Sequence, residues 1–187
     1  LIPRDEGTSS RESGMEEYEA VIETPIRSIV TLSTTYLPHL ESLGLLDTLA
    51  AVDRESYVYT DQVRRLLEGG SVLEVGNSDA LDVERLLAID PDLVMTSALG
   101  PEDPVITALE RADIPVVINA DWLETSPLGR AEWIRFVAAL YDAEDRLIMA
   151  NSRYREFFSY ARHVIRPGVR FKTILREGLR QGMPPHA

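Results

Sequence analysis

The stretch DVERLLAIDPDLVMTS, residues 82–97, combines a short helix, a two-residue break and an apolar strand. Val83, Leu86 and Leu87 are spaced to form the inward stripe of the helix, and the strand is apolar on both faces. A helix followed directly by such a strand is typical of a parallel sheet that is covered by helices. Glu84 lies on the outward side of the predicted helix, away from the stripe.

The same alternation of strands and helices extends over most of the chain. Four more apolar runs predict strands, and amphipathic segments separate them: IRSIVTLS (26–33), AAVD (50–53), SVLEVG (71–76) and IPVVINA (114–120). We therefore predict an α/β fold, a lobe built on a parallel sheet with flanking helices. Right-handed crossovers would place the strand-to-helix loops along one edge of the sheet, where ligands of open α/β sheets bind.

A different pattern begins after Trp122, because residues 123–165 contain no predicted strand. Ser126 and Pro127 form a strong helix start, and a second helix from about residue 143 is long enough to reach toward another body. The predicted organisation is a disordered leader (1–22), an amino-terminal α/β ligand-binding lobe (23–142), a long inter-lobe helix (143–167), and a truncated second lobe or aberrant tail (168–187). The charge distribution agrees with a distinct tail, because residues 151–187 hold eight Arg or Lys against two Asp or Glu.

Composition argues against several classes of function. The net charge of −12 argues against a nucleic-acid binder, whose phosphate contacts need a basic surface. The chain has no cysteine and its three histidines are scattered, so we expect no metal site and no cofactor. No uncharged apolar run reaches about 18 residues, so we expect no membrane span. The sequence also lacks a P-loop, a G-x-S-x-G motif and a dinucleotide fingerprint, and we expect no enzymatic activity.

Three blocks of the sequence together resemble a known family. They are IRSIVTLSTTYLPHLESLGLLDTLAAVD (26–53), VLEVGNSDALDVERLLAIDPDLVMTS (72–97) and PLGRAEWIRFVAALYDAEDRLIMANSRY (127–154). In this order they resemble the periplasmic substrate-binding proteins of iron-siderophore and cobalamin ABC importers, in which one long helix joins two α/β lobes. The resemblance covers about residues 24–168, nearly an amino-terminal lobe plus the inter-lobe helix.

The resemblance implies a receptor that captures an iron-siderophore, haem or cobalamin ligand and delivers it to an ABC transporter permease. It implies a periplasmic or cell-surface location, with a lipid anchor as one option. The first 20 residues have neither the basic start nor the apolar middle of a signal peptide. In this family a second lobe brings half of the ligand contacts, and we expect the chain as given to lack that lobe.

Glu84 matches the place where receptors of this family carry a docking glutamate for arginines of the permease. An outward carboxylate on a fixed helix can form a charge-assisted pair with arginine at the surface of a complex. The alternative is a solvated helix residue that pairs locally with Arg85.

The predicted ligand-binding residues all lie in loops that follow strands. Tyrosines offer a chelate an apolar face and a hydroxyl, and a tryptophan would form a wall of the pocket. The hydroxyl residues 33–35 stand at a helix amino terminus, which favours anions, although simple capping is the alternative. The predicted set is Ser33, Thr34, Thr35, Tyr57, Tyr59, Asn77, Ser97 and Trp122.

Two further residues have alternative roles. Arg130 is a candidate anchor for an anionic chelate, or else a partner of Glu132 or another carboxylate. Trp133 has the spacing of a core residue.

Two other functions remain open from the sequence. One is a single flavodoxin-like α/β domain that acts as an enzyme or regulator, which predicts an element packing back on the sheet in place of the long helix. The other is a non-functional truncated receptor, which predicts poor solubility and no ligand binding.

Overall fold

The computed structural model describes residues 2–3, 22–76, 80–97, 103–125 and 127–147 of the 187-residue chain. The chain divides into two compact units, residues 1–143 and residues 144–187. All the strands and helices below belong to the first unit.

A five-stranded parallel sheet forms the centre of the first unit. Its strands are β3 (Ile29–Thr31), β4 (Leu49–Val52), β5 (Leu73–Glu74), β6 (Leu93–Thr96) and β7 (Val116–Ile118), in the order β5-β4-β3-β6-β7. All four pairings are parallel, with Thr31 opposite Val52 on one side and opposite Met95 on the other. The predicted α/β fold, a parallel sheet with flanking helices, is therefore confirmed, and all five strands fall within the predicted segments or one residue outside them.

The strand order decides against one of the alternatives. Counted along the chain, the sheet strands have the spatial order 3-2-1-4-5. A flavodoxin-like sheet has the order 2-1-3-4-5, in which the first strand is not central. The prediction of a flavodoxin-like domain is therefore wrong at the level of topology.

Six helices flank the sheet in the described part of the chain. They are α1 (Leu37–Leu43), α2 (Asp61–Glu68), α3 (Val83–Ile89), α4 (Pro104–Arg111), α5 (Pro127–Glu132) and α6 (Ile134–Leu140). On one face of the sheet, Val30, Ala51 and Val94 pack with Leu86 of α3 and Leu109 of α4. Helix α1 buries the predicted stripe Leu37, Leu40 and Leu43, and α1 contacts α6.

The prediction that Leu87 belongs to the inward stripe of α3 is wrong. Leu86 is fully buried and Val83 packs against the core, but the Leu87 side chain is 53% exposed. Successive helical residues are about 100° apart, so a seven-residue helix that buries Val83, Leu86 and Ile89 turns Leu87 away. An apolar side chain thus stands on the outer surface of α3.

The segment before β3 is held by a carboxylate. Asp92 Oδ2 accepts hydrogen bonds from the backbone N–H groups of Arg27 at 2.6 Å and Ser28 at 3.1 Å. Asp92 precedes β6, the neighbour of β3, so this contact joins the amino ends of two adjacent strands. A hydrogen bond to an ionised carboxylate is stronger than a hydrogen bond between two neutral groups.

The predicted terminal segments fall mostly outside the described residues. Within the predicted leader 1–22, Ile2–Pro3 forms a short strand, β1, parallel to β2 (Glu23–Thr24). Of the predicted inter-lobe helix 143–167, the structure describes residues 143–147, with a 3₁₀ turn at Glu144–Arg146. The remainder of that helix and the predicted tail 168–187 lie outside the described residues.

Candidate functional site

The carboxyl ends of β3, β6 and β7 meet at one edge of the sheet. β3 lies at the centre, and the chain leaves it first toward β4 and β5 and later toward β6 and β7. The point where the direction of winding reverses lies between β3 and β6, and ligands of open α/β sheets bind outside the strand ends at this point. The loops that begin at Leu32, Ser97 and Asn119 surround it.

A cleft of about 210 Å³ opens at this edge. Ser33 and Thr35 follow β3, Ser97 follows β6 and Trp122 follows β7, and these four residues line the cleft. Four of the eight predicted ligand residues are therefore brought together, although they span 90 positions of the sequence. Drug-sized pockets usually measure about 300 to 1,000 Å³, so this cleft has the size of a subsite for part of a ligand.

Ser33 caps the 3₁₀ turn Thr34–Tyr36, since its Oγ accepts a hydrogen bond from the Thr35 N–H at 3.4 Å. The capping role that the sequence left open is present. The hydroxyl groups of Ser33 and Thr35 are also 3.0 Å apart and share a hydrogen bond. Thr34, the middle residue of the predicted triplet, does not line the cleft.

Asp121 lies directly behind the cleft and was missed by the sequence reasoning. Its Oδ1 accepts a hydrogen bond of 3.5 Å from the Thr35 hydroxyl, and only 6% of the residue is exposed. Burial raises the pKa of its carboxyl, while the Thr35 hydroxyl, the charge of Arg130 and the Trp122 N–H act in the opposite direction. The sequence did contain one signal for this residue, because Asp121 directly follows the predicted strand 114–120 and directly precedes Trp122.

Asn119 fixes the loop that carries Asp121. It is fully buried, its Oδ1 accepts from the Asp121 N–H at 3.0 Å, and its Nδ2 donates to Met95 Sδ at 3.5 Å. The carbonyl of Asn119 accepts a 2.8 Å hydrogen bond from the Tyr36 hydroxyl. Burial, followed by the charge of Asp121, raises the pKa of Tyr36, and a side-chain interaction with Ser97 lowers it in part. Tyr36 was not among the predicted site residues either.

The aromatic candidates are exposed along the same edge. Trp122 is 42% exposed in the turn after β7, and Leu123 beside it is also exposed. Tyr57 and Tyr59 follow β4 and both point to solvent, while Val58 between them is buried. Neither tyrosine lines the cleft that contains Trp122. Asn77, the remaining predicted ligand residue, lies outside the described residues.

The structure also describes Arg130 and Trp133, the two residues with alternative roles. Arg130 Nε donates to the Glu124 carbonyl at 3.2 Å, and its charge acts on Asp121, the neighbouring carboxylate that the sequence could not name. Trp133 is half-buried and packs edge-to-face on Phe136, with ring centroids 5.8 Å apart.

Glu84 lies on α3 with its side chain exposed. The Arg85 Nε is 3.4 Å from Asp82 Oδ2, and Arg85 Nη1 donates to the Glu74 carbonyl at 2.6 Å. Among the described residues, Arg85 is thus engaged elsewhere and the Glu84 carboxylate has no ion-pair or hydrogen-bond partner. Leu87, one turn further along α3, is exposed beside it.

A second depression, of about 390 Å³, lies at the end of β5, the edge strand of the sheet. It is larger than the cleft, but its polar groups are engaged: Arg85 pairs with Asp82 and donates to the Glu74 carbonyl, and the Glu74 carboxylate accepts from the Glu55 N–H. It also lies away from the reversal of strand order. We therefore take the smaller cleft as the candidate site.

Metal sites and membrane spans are two features that bear on the class of the protein. Within the described residues, no three His, Asp or Glu side chains come together in a way that could hold a metal ion. None of the helices that the structure describes has the length and apolar character of a membrane span.

Comparison with protein families gives one match over most of the chain. Residues 29–180 match the family described as periplasmic binding protein. An uncharacterized lipoprotein of Methanocaldococcus jannaschii is 25% identical over 130 residues, which are 66% of this chain and 31% of that protein. The chain therefore spans about a third of the length of this curated relative.

Several solved structures share the fold. The periplasmic vitamin B12 binding protein of Vibrio cholerae matches 73% of this chain and 52% of its own, with a TM-score of 0.54 and 21% identity. The periplasmic heme binding protein of the same organism matches 76% and 51%, with a TM-score of 0.56 and 19% identity. The petrobactin-binding protein of Bacillus subtilis matches 74% and 46%, with a TM-score of 0.57 and 16% identity. The chain corresponds to about half of each.

Proposed function

Because this chain belongs to the periplasmic binding protein family, we propose that it is the ligand-capturing amino-terminal lobe of a receptor for an ABC importer. Its ligand would be an iron-siderophore, haem or a cobalamin-like compound, and it would pass this ligand to a membrane permease. The similar solved structures support this range, because their names describe them as binding proteins for vitamin B12, heme and petrobactin. We propose a periplasmic or cell-surface location and no catalytic activity.

The cleft at the carboxyl edge of the sheet is the observation that carries the proposal. Its hydroxyl residues Ser33, Thr35 and Ser97 stand beside the exposed indole of Trp122, at the strand ends where the order of the sheet reverses, and this arrangement supports the proposal. An indole face beside a few polar groups suits a large chelate that has apolar faces and polar substituents. The exposed Tyr57 and Tyr59 would extend the contact surface along the same edge.

A single lobe would cover one side of such a ligand. A cleft of about 210 Å³ holds a substituent rather than a whole chelate, and high-affinity pockets bury about 70 to 90% of a ligand. We therefore expect this chain alone to bind more weakly than a two-lobed receptor of the same family.

The outer surface of α3 would dock to the permease. Glu84 offers an exposed carboxylate that has no partner among the described residues, and Leu87 offers an exposed apolar contact one turn away. Residues three apart on a helix are neighbours on its surface. A carboxylate beside an apolar side chain complements an arginine with its aliphatic stem on the partner.

Tryptophan fluorescence tests ligand capture, because the chain has only two tryptophans. Titration with the ferric complex of desferrioxamine B, haemin and cyanocobalamin should give saturable quenching with at least one of them. In Trp122→Phe the quenching should largely disappear, whereas Trp133→Phe, which removes the half-buried indole, should keep it. Isothermal titration calorimetry on the same samples separates binding from optical absorption by the ligand.

The outcomes are distinct. Saturable binding that depends on Trp122 supports the proposal. No heat and no quenching with any of the three ligands, from a chain whose thermal unfolding is cooperative, would refute it and favour the non-functional truncated receptor.

A further inference from the structure

The hydroxyl groups in the cleft have a fixed hydrogen-bond direction. When Asp121 is ionised, its carboxylate can only accept hydrogen bonds, so the Thr35 hydroxyl donates its single hydrogen to Asp121 Oδ1, 3.5 Å away. Thr35 Oγ1 then has only lone pairs left for Ser33 Oγ, 3.0 Å away, and Ser33 becomes the donor in that bond. The chain of bonds runs from Ser33 through Thr35 to Asp121, with both hydrogens directed into the protein.

The Tyr36 hydroxyl, below the cleft, also has a fixed hydrogen-bond direction. It uses its only hydrogen in the 2.8 Å bond to the carbonyl of Asn119, so it has no hydrogen left to donate toward the cleft.

The result is a cleft that offers acceptors. Ser33 and Thr35, two of the three hydroxyl residues that line it, present lone pairs to the ligand, and none of its described lining residues is Lys or Arg. The buried carboxylate of Asp121 lies behind Thr35 and adds a negative potential, which the charge of Arg130 offsets in part. This differs from the anion preference that a helix amino terminus suggested for residues 33–35.

We infer that this cleft selects a hydrogen-bond-donating substituent of the ligand, an amide N–H or an ammonium, over a carboxylate, and that Asp121 is the positioning residue for this selection. The inference rests on the proposed function and names the chemical class of the group bound at this subsite. A carboxylate would meet acceptor lone pairs with no hydrogen between them, and it would also face the charge of Asp121.

Matched ligands test the inference. The ferric complex of desferrioxamine B carries a terminal ammonium; acetylation converts it to a neutral amide and succinylation to a carboxylate, without altering the hydroxamate chelate. Cyanocobalamin and its acid-hydrolysed monocarboxylate derivatives give a second set, with amide against carboxylate. We expect the wild-type chain to bind the ammonium or amide form about tenfold or more tightly than the carboxylate form, measured by calorimetry.

Variants test whether Asp121 and Ser33 cause this preference for the donor forms. Asp121→Asn removes the charge, and its amide can donate a hydrogen bond to Thr35. The hydroxyl hydrogens of Ser33 and Thr35 are then free to point outward. The preference for donor forms over the carboxylate form should therefore shrink to about twofold or less. Glu124→Gln, an equal change of charge in the same loop, should leave the preference unchanged. Ser33→Ala should weaken binding of the donor forms more than binding of the carboxylate form, which keeps a test available if Asp121→Asn unfolds.

Each result has one reading. A donor preference that Asp121→Asn removes and Glu124→Gln retains supports the inference. Equal or tighter binding of the carboxylate forms overturns it and leaves the proposed function intact, because a chelate still binds. A preference that neither Asp121→Asn nor Ser33→Ala changes overturns the assignment to this cleft. If none of the chelates binds, the proposed function fails and the inference fails with it.

Discussion

The Tyr36 hydroxyl donates a 2.8 Å hydrogen bond to the carbonyl oxygen of Asn119, and both residues are fully buried. The bond joins the turn after β3 to the loop after β7, two segments that are 83 positions apart. Because Asn119 also holds the backbone N–H of Asp121, this contact sets the position of the loop that carries Asp121 and Trp122. The geometry of the cleft therefore depends on a contact below it.

Removal of that hydroxyl should affect both stability and binding. In Tyr36→Phe the buried carbonyl of Asn119 loses its partner, which costs about 1 to 3 kcal/mol in the free energy of unfolding. Ligand affinity should fall as well, because the loop after β7 loses a restraint. Urea unfolding and calorimetry measure the two effects.

Tyr141→Phe is the matched control for this prediction. The Tyr141 hydroxyl hydrogen-bonds Thr48 Oγ1 at 2.8 Å, and Thr48 directly precedes β4, at the opposite edge of the sheet. This variant should lose stability to a similar extent and keep its ligand affinity. Equal losses of affinity in both variants would contradict the role given to Tyr36.

His39 makes stability depend on pH. It is buried on α1, its Nδ1 has no partner among the described residues, and burial lowers its pKa from 6.5 to about 4. The unfolded chain therefore binds a proton at a higher pH than the folded chain does. The stability associated with neutral His39 is complete above pH 6.5 and is lost as the pH falls toward 4, by about 3 kcal/mol in total.

His39→Leu should remove this part of the pH dependence. Carboxyl groups titrate in both proteins, so the measured quantity is the difference in the free energy of unfolding between wild type and variant, from pH 7.5 to pH 4. The difference should shift in favour of the variant as the pH falls. A difference that stays constant over this range would show that His39 is not buried in its neutral form.

Gly76 stands where the backbone passes very close to a neighbouring segment. Its φ is +74°, and a Cβ at this position would clash with the carbonyl of Ala80. Gly70 has a similar φ of +72° with no atom within 4 Å of the added Cβ. Gly70→Ala should therefore lower the free energy of unfolding by about 1 to 2 kcal/mol, because only the backbone conformation becomes unfavourable. Gly76→Ala adds a steric clash and should lower it by about 1 to 3 kcal/mol more. Equal losses by thermal unfolding would mean that the segment around Ala80 moves away freely.

Docking should depend on the charge and the apolar contact of α3. Glu84→Arg should reduce stimulation of the importer ATPase in proteoliposomes about tenfold or more, with ligand affinity unchanged, because it would reverse the charge that we propose faces a permease arginine. Leu87→Ser should give a smaller reduction. Glu110→Arg, the same reversal at an exposed position of α4, is the control and should have little effect. A loss in the control equal to that of Glu84→Arg would indicate a general effect of charge.

The sheet was predictable from the sequence because its strands are short apolar runs and each is followed by a helix signature. β3 and β6 lie at the centre of the sheet, where both faces are covered, and a run such as IVT or LVMT has few other places to be buried. The failure at Leu87 has a related cause. A helix of seven residues needs only a narrow stripe to cover its part of the sheet, and leucine alone does not reveal which side it faces.

The cleft was predictable in part. The rule that strand ends meet at one edge brought Ser33, Thr35, Ser97 and Trp122 together. The sequence did not identify Asp121, since an aspartate in a loop is usually a solvated or capping residue, and its burial depends on Asn119 and Thr35 from other segments. The hydrogen-bond direction of the hydroxyls follows from that carboxylate, so it required the three-dimensional arrangement.

An amide chemical-shift map of the isotope-labelled chain tests the account most directly. The gallium complex of desferrioxamine B and cyanocobalamin are diamagnetic, so binding can be followed residue by residue. We predict that at least one of them shifts the amides of residues 33–36, 97 and 119–123, and leaves residues 44–48 at the opposite edge of the sheet unchanged. Shifts centred on residues 44–48, or none with either ligand at millimolar concentration, would contradict the claim that the carboxyl edge of this sheet is a chelate-binding surface.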